Sequence, residues 1–308
     1  MKKVFGLLLV TAAITSCSSS DEHTSGPGSG NNEIRLTSKV NFTRSAYDTQ
    51  LQAGSKVGFY VTEWADASTP GNPATLPFYE NVELTADGNG YFDYATTMFY
   101  PQSGNKVDFH AYHPKSASVP TDVTAIPFGI QPDQTKLDNY LLSDLLWAVN
   151  EGVDRTNNIV PIEFKHKLSK LEFTIKAGDG VTLDNLDKVE VLQVAPGTTL
   201  NLATGAITAA TGDPVDVSAL GIAGTAGNEL KGGEAIIVPQ AKAGATKLLQ
   251  ITLGNVSFAY TPSDATTFEG GKKYSYVITV NMGGIVVKSS ITDWDSSGDP
   301  TEGEGEMD

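Results

Sequence analysis

Residues 273–294 read KYSYVITVNMGGIVVKSSITDW, and this stretch decides the fold class. Polar and apolar residues alternate on both sides of Gly283-Gly284. Period-two alternation makes a half-buried strand, and a glycine pair adopts the positive φ angles of a tight hairpin. The stretch therefore predicts two antiparallel strands. Working outward, the same grammar recurs. LEFTIKA (171–177) alternates through Leu171, Phe173 and Ile175, and AIIVPQ (235–240) and LLQITLG (248–254) follow. Upstream, VGFYVTEW (57–64) sets Val57, Phe59 and Val61 on one face. VDFHAYHP (107–114) does so with Val107, Phe109 and Ala111. ADGNG (86–90) reads as a hairpin turn. Within KLDNYLLSDLLWAV (136–149) the first part reads as a turn or one helical turn and the second as a strand. Many short strands without helical periodicity predict an all-β protein built of β-sandwiches. The expected organisation is one domain over 34–168 and a second over 169–294. Long loops at Ala65–Pro77 and Ser116–Asp138 are assigned to the first.

The N-terminus carries a separate message. Lys2 and Lys3 precede VFGLLLVTAAI, an uncharged run too short for a bilayer span of about 20 residues. A basic start and a short apolar core make a secretory signal, residues 1–16. Cys17 is the only cysteine in 308 residues, so no intrachain disulfide and no multi-thiolate metal site is available. Its place after Ile14-Thr15-Ser16 reads as a lipobox, with the Cys17 thiol acylated and the chain cut before it. Each buried methylene contributes about 0.8 kcal/mol, so two or three acyl chains anchor stably. Residues 17–33, rich in Ser, Gly and Asn, are expected to form a flexible tether. Residues 295–308 lack an apolar run and are expected to be a disordered acidic tail.

Formal charge is −15 for the whole chain and −17 once residues 1–16 are gone. An acidic chain with scattered lysines is no nucleic-acid binder, because phosphate affinity needs clustered Lys and Arg. Enzyme constellations are missing: there is no phosphate loop, no serine elbow and no carboxylate pair, and nothing in the sequence calls for a cofactor. His110 and His113 lie three apart on a predicted strand and so point to opposite faces. Residues 293–304 approach an EF-hand loop through Asp293, Asp295, Ser297 and Glu304. Nothing helical flanks them and Pro300 stiffens the wrong half, so a tail is the preferred reading over a calcium loop. Trp64, ahead of the polar stretch 66–77, is a candidate ligand surface.

Taken in order, FYPQSGNKVDFHAYHP (99–114), SDLLWA (143–148), FKHKLSKLEFTI (164–175), AIIVPQ (235–240), YSYVITV (274–280) and ITDW (291–294) resemble the fimbrillin-like family. These are surface lipoproteins of the Bacteroidales related to type V pilins. The resemblance covers roughly residues 34–294. It implies two transthyretin-like β-sandwich domains in tandem and a place in adhesive fimbriae at the outer membrane and cell surface. Partners implied are other pilin subunits, a trypsin-like maturation protease, the outer membrane through the lipid, and a surface receptor. In such proteins the subunit's own first strand keeps a groove closed until a protease frees it, and a neighbour's strand then enters.

Arg44, followed by Ser45 and Ala46, is the candidate processing site. Upstream of it Ile34, Leu36, Val40 and Phe42 alternate, broken at Ser38. Arg35 and Lys39 lie inside that strand and are expected to be less accessible. The Gly-, Pro- and acid-rich tail after Trp294 has no strand to donate. The subunit is thus expected to accept a strand without giving one, as a tip or accessory component. The other outcome is that residues 284–294 themselves swing out. A surface lipoprotein that binds glycan or protein without polymerising is the alternative function.

Overall fold

The computed structural model describes residues 32–40, 50–66, 68–71, 77–156, 158–222 and 227–294. Cys17, Arg44, Asp295, Ser297 and Glu304 lie outside the described residues, as do the signal, most of the tether and the tail.

The chain is all-β among these residues. Its first half contains β1 (Leu36–Val40), β2 (Lys56–Glu63), β3 (Tyr79–Ala86), β4 (Phe92–Tyr94), β5 (Val107–His113) and β6 (Ile126–Gly129). A short helix α1 (Leu137–Leu142) precedes β7 (Leu146–Val153) and β8 (Val160–His166). The second half contains β9 (Ser169–Ala177), β10 (Leu186–Val194), β11 (Gly197–Leu200), β12 (Val215–Ser218), β13 (Glu229–Ile237) and β14 (Gln240–Lys242). It ends with β15 (Leu249–Leu253), β16 (Val256–Tyr260), β17 (Thr266–Phe268), β18 (Lys272–Asn281) and β19 (Gly284–Asp293).

Seven strands form one sheet in the order β1-β8-β7-β5-β2-β3-β4. All neighbours are antiparallel except β1 and β8, which run parallel. Two four-stranded sheets, β13-β9-β18-β19 and β12-β10-β15-β16, make up most of the second half. Lys167 and Leu168 link β8 to β9, which belong to different sheets. The β18–β19 hairpin turns through Met282 and Gly283, with Asn281 opposite Gly284, one residue earlier than the glycine pair suggests.

Two hydrophobic clusters fill the molecule. One takes Val57, Phe59, Val61, Val107, Phe109, Ile162 and Phe164 from the first half alone. The other is centred on Leu171, Phe173, Ile175, Val191, Ile251 and Ile278, and also takes Tyr60, Tyr112, Ile126 and Trp147 from the first half. β2 and β5 are therefore buried on both faces, not on the alternating face alone. The expected loop Ser116–Asp138 contains β6, which pairs with β11 of the second half. Gly205 shows how close this approach is. Its φ is +67°, and a Cβ there would sit 2.5 Å from the Trp147 ring.

Candidate functional site

The site is the slot occupied by β1. Along it and the residues leading in, Ile34, Leu36 and Val40 are 1–2% exposed, Ser38 is half-buried, and Lys39 faces solvent. Both edges of the strand are used. On one side it pairs with β8, Leu36 opposite Val160, Ser38 opposite Ile162 and Val40 opposite Phe164. On the other it meets the segment around β4. The amide of Ile34 donates to Met98 O at 2.8 Å, that of Ser38 to Gly90 O at 2.8 Å, and that of Tyr100 to Asn32 O at 2.7 Å. Bridges Thr37–Tyr91 and Glu33–Phe99 continue this side. β1 thus joins the β8 edge to the β4 end and closes the seven-stranded sheet.

One side chain takes part in the ladder. The Leu36 amide donates to the Tyr94 hydroxyl at 2.8 Å. Burial pushes the Tyr94 phenol up to about 12, and the Leu36 amide works against that rise. Ser38 is the weak point of the row. Its Oγ is shielded from solvent and meets no hydrogen-bond partner. A buried unpaired hydroxyl costs about 1–3 kcal/mol. The outward ion pairs Lys39–Glu163 and Arg35–Glu33, both at 3.5 Å, are partly exposed and contribute little. If β1 left, the acceptors Met98 O and Gly90 O and the donors Tyr100 N and Val160 N would lose their partners, beside an apolar floor of Ile162, Phe164 and Met98. That combination is what an extended peptide segment recognises.

The last strand is held differently. β19 pairs with β18 over its whole length and forms the edge of its sheet. Val286 and Ile291 are 57% and 60% exposed. Immediately after it Trp294 is fully buried and stacks on His166, centroids 3.9 Å apart and planes 7° from parallel. His166 Nδ1 lies 2.9 Å from Asp144 Oδ1. Lys170, wholly buried, sits 5.9 Å from the Trp294 ring centre and 3.2 Å from Glu234. Tyr140 donates to the same Glu234 carboxylate at 2.6 Å. The sequence segments SDLLWA, FKHKLSK and ITDW thus meet at one place.

The other candidates are engaged structurally. Trp64 Nε1 donates to Asp108 Oδ1 at 2.6 Å, and Lys106 lies 5.4 Å from the Trp64 ring centre. Asp108 also accepts the Gly71 and Gly152 amides, so Trp64 belongs to a loop anchor. His110 is buried opposite Tyr60, whereas His113 Nδ1 contacts Lys56 O at 2.9 Å; burial pushes both imidazoles down. Asp293 pairs with Lys272. Among the described residues no three His, Cys, Asp or Glu side chains gather to hold a metal ion.

A family model described as fimbrillin-like matches residues 43–294. The chain belongs to the fimbrillin-like family. A relative in Bacteroides uniformis, named as a candidate fimbrium subunit, Fim1C, is 28% identical over 299 residues, 93% of each chain. The crystal structure of a candidate cell adhesion protein from the same species superposes with a TM-score of 0.63 at 26% identity, over 85% of this chain and 98% of that one. A candidate cell adhesion protein from Bacteroides ovatus shares the fold, with a TM-score of 0.66 at 19% identity over 86% and 98%. This family points to a structural role rather than catalysis. In this fimbrillin-like chain the match ends on Trp294, the residue that stacks on His166. Tyr94, Lys170 and Glu234 escape sequence reading. A tyrosine in a three-residue strand carries no signal, and Lys170 falls on the face that alternation assigns to solvent.

Proposed function

We propose that this chain is a fimbrial subunit of two transthyretin-like sandwiches, dividing near residue 168, exported as a lipoprotein through Cys17 and assembled by donor-strand exchange. Its own β1 keeps the groove closed. A trypsin-like protease cuts after Arg44, β1 departs with the lipid, and a strand of a neighbouring pilin takes its place at the cell surface. The observation that carries this reading is the double pairing of β1. A strand near the N-terminus closes a sheet on both edges, buries Leu36 and Val40 with Ile34 just ahead of them, and ends four residues ahead of Arg44. Its removal exposes unpaired backbone and apolar surface together, which is a strong drive for strand addition. So long as β19 stays in its own sheet, the subunit accepts without donating, which suits a tip or accessory position.

N-terminal sequencing of protein recovered from the cell surface, with and without trypsin, tests this. Polymer-competent material should begin at Ser45. Polymers whose subunits all retain residues 17–44 would overturn the mechanism and favour a permanently anchored binding lipoprotein.

A further inference from the structure

Two phenylalanines stand bare on the first half of the chain. Phe78, just ahead of β3, is 44% exposed, and Phe99, between β4 and β5, is 45% exposed. Both are held in place. Phe78 packs edge-on against Tyr79, with ring centroids 4.8 Å apart. The Tyr79 hydroxyl accepts the Phe99 amide at 3.0 Å, and the next amide, that of Tyr100, donates to Asn32 O at 2.7 Å. The two rings line an open cleft of about 530 Å³ with Asn32, Glu63, Gln102 and Ser103 among its other walls. That size lies within the roughly 300–1,000 Å³ of small-ligand sites. Glu63 accepts from Ser103 Oγ and, at 3.1 Å, from Asn105 Nδ2, and both contacts use the same carboxyl oxygen. Gln102 is exposed, and Asn32 Oδ1 meets no hydrogen-bond partner.

We infer that this cleft binds a neutral glycan. A pyranose ring has an apolar face of C–H bonds and a rim of hydroxyls. The face stacks on a bare aromatic ring, and the rim needs donors and acceptors beside it. Phe78 and Phe99 supply the rings; Glu63, Gln102 and Asn32 supply a carboxyl and two carboxamides. An acid lines the cleft and, among the described residues, no Lys, Arg or His does, in a chain of formal charge −15. Acidic sugars and phosphorylated ligands are therefore repelled. An extended peptide finds no ladder to join, because the backbone donors at the rings are taken. Phe78 N bonds to Val61 O at 2.6 Å, Phe99 N to the Tyr79 hydroxyl, and Tyr100 N to Asn32 O. The site gives a ligand class to the adhesive role. It rests on that reading for display at the cell surface and not for strand exchange, since of these groups only Asn32 precedes Arg44.

Binding of the intact chain to an array of neutral oligosaccharides and their sialylated and uronic-acid counterparts tests this, followed by calorimetry on the strongest neutral glycan. Neutral glycans should bind and acidic ones should not. Phe78→Ala and Phe99→Ala should each weaken binding about tenfold, and Gln102→Ala by less. Both rings lie outside the two hydrophobic clusters, so denaturant midpoints should stay close to that of the parent chain. Glu63→Gln keeps an acceptor for Ser103 and Asn105 but removes the charge, so it should narrow the gap between neutral and acidic glycans. An array on which no neutral glycan binds overturns the inference. So does binding that survives loss of both rings, or that prefers acidic sugars. A protein ligand lost with the same two substitutions, where no glycan binds, would assign the cleft to a protein partner instead. Strand exchange is judged separately, by whether polymer-competent material begins at Ser45. A different start would sink exchange and leave the glycan site standing.

Discussion

β1 and β19, the first and last strands, are retained by different means. β1 is short, bonded along both edges and buried at Leu36 and Val40, with Ile34 buried just ahead of it, so its retention is spread over many small contributions. β19 is twice as long by residue count, bonded along one edge through its whole-length ladder with β18 and half exposed, and the fully buried Trp294 follows it directly. One strand is held on both sides; the other is held by a single long ladder and a buried terminal anchor. The most damaging way to break this comparison is Trp294→Ala. Removing a buried, stacked tryptophan should cost about 4 kcal/mol, as for other large-to-small aromatic changes. Denaturant unfolding measures the loss, and hydrogen exchange should rise across residues 284–293. Unchanged protection there would show that pairing with β18 alone retains the strand.

Leu36→Ala attacks the other side. It deletes the middle of the three buried aliphatics Ile34, Leu36 and Val40 and should cost about 3 kcal/mol. The loss should appear locally, as faster exchange of the Tyr100 amide that bonds to Asn32 O, and as quicker displacement of β1 by added peptide. Equal loosening of β19 in this variant would mean that the two strands are coupled and the comparison too simple.

Sequence reading recovered β2, β5, β7, β9, β15, β18 and β19 and, with Phe42 outside the described residues, the row of β1 as far as Val40, because these depend on local period-two patterning. It missed what depends on distant partners. The polar-looking face of β2 and β5 carries Tyr60, His110 and Tyr112, amphipathic residues that suit water or a core, and only the second half of the chain shows that it is a core. β6 is four residues long and contains Pro127, so it passes for loop until β11 pairs with it. Lys170 alternates like a solvent-facing lysine, but Glu234 and the Trp294 ring, 64 and 124 positions further along the chain, enclose it. Ser38 looks like a flaw in the strand, and in place its hydroxyl is shielded without a hydrogen-bond partner.

Tyr94→Phe sharpens the role of the one side chain in the ladder. The Leu36 amide would lose its acceptor, at a cost of about 1 kcal/mol. The pH dependence gives a signature that packing loss would not. The folded chain holds the Tyr94 proton up to about 12, while the unfolded chain releases it near 10. Between those values the folded state binds more protons, so this contribution to stability is intact below pH 10 and is lost as pH rises through about 12. Denaturant midpoints across that window should fall less steeply for Tyr94→Phe than for the parent chain. Parallel slopes would mean that Tyr94 ionises freely in the folded protein.

The smallest effect distinguishes a deliberate serine from an incidental one. Ser38→Ala removes a shielded hydroxyl with no partner and leaves the backbone amide that donates to Gly90 O untouched. Self-complementation should tighten by up to about 1 kcal/mol, since an unpaired buried polar group is costly. Ser38→Leu should do the reverse, because added bulk in a packed row forces neighbours apart. Slower displacement of β1 in the alanine variant and faster displacement in the leucine variant would make the third position the one that tunes exchange. Leucine that holds β1 as firmly as alanine would show a roomy site.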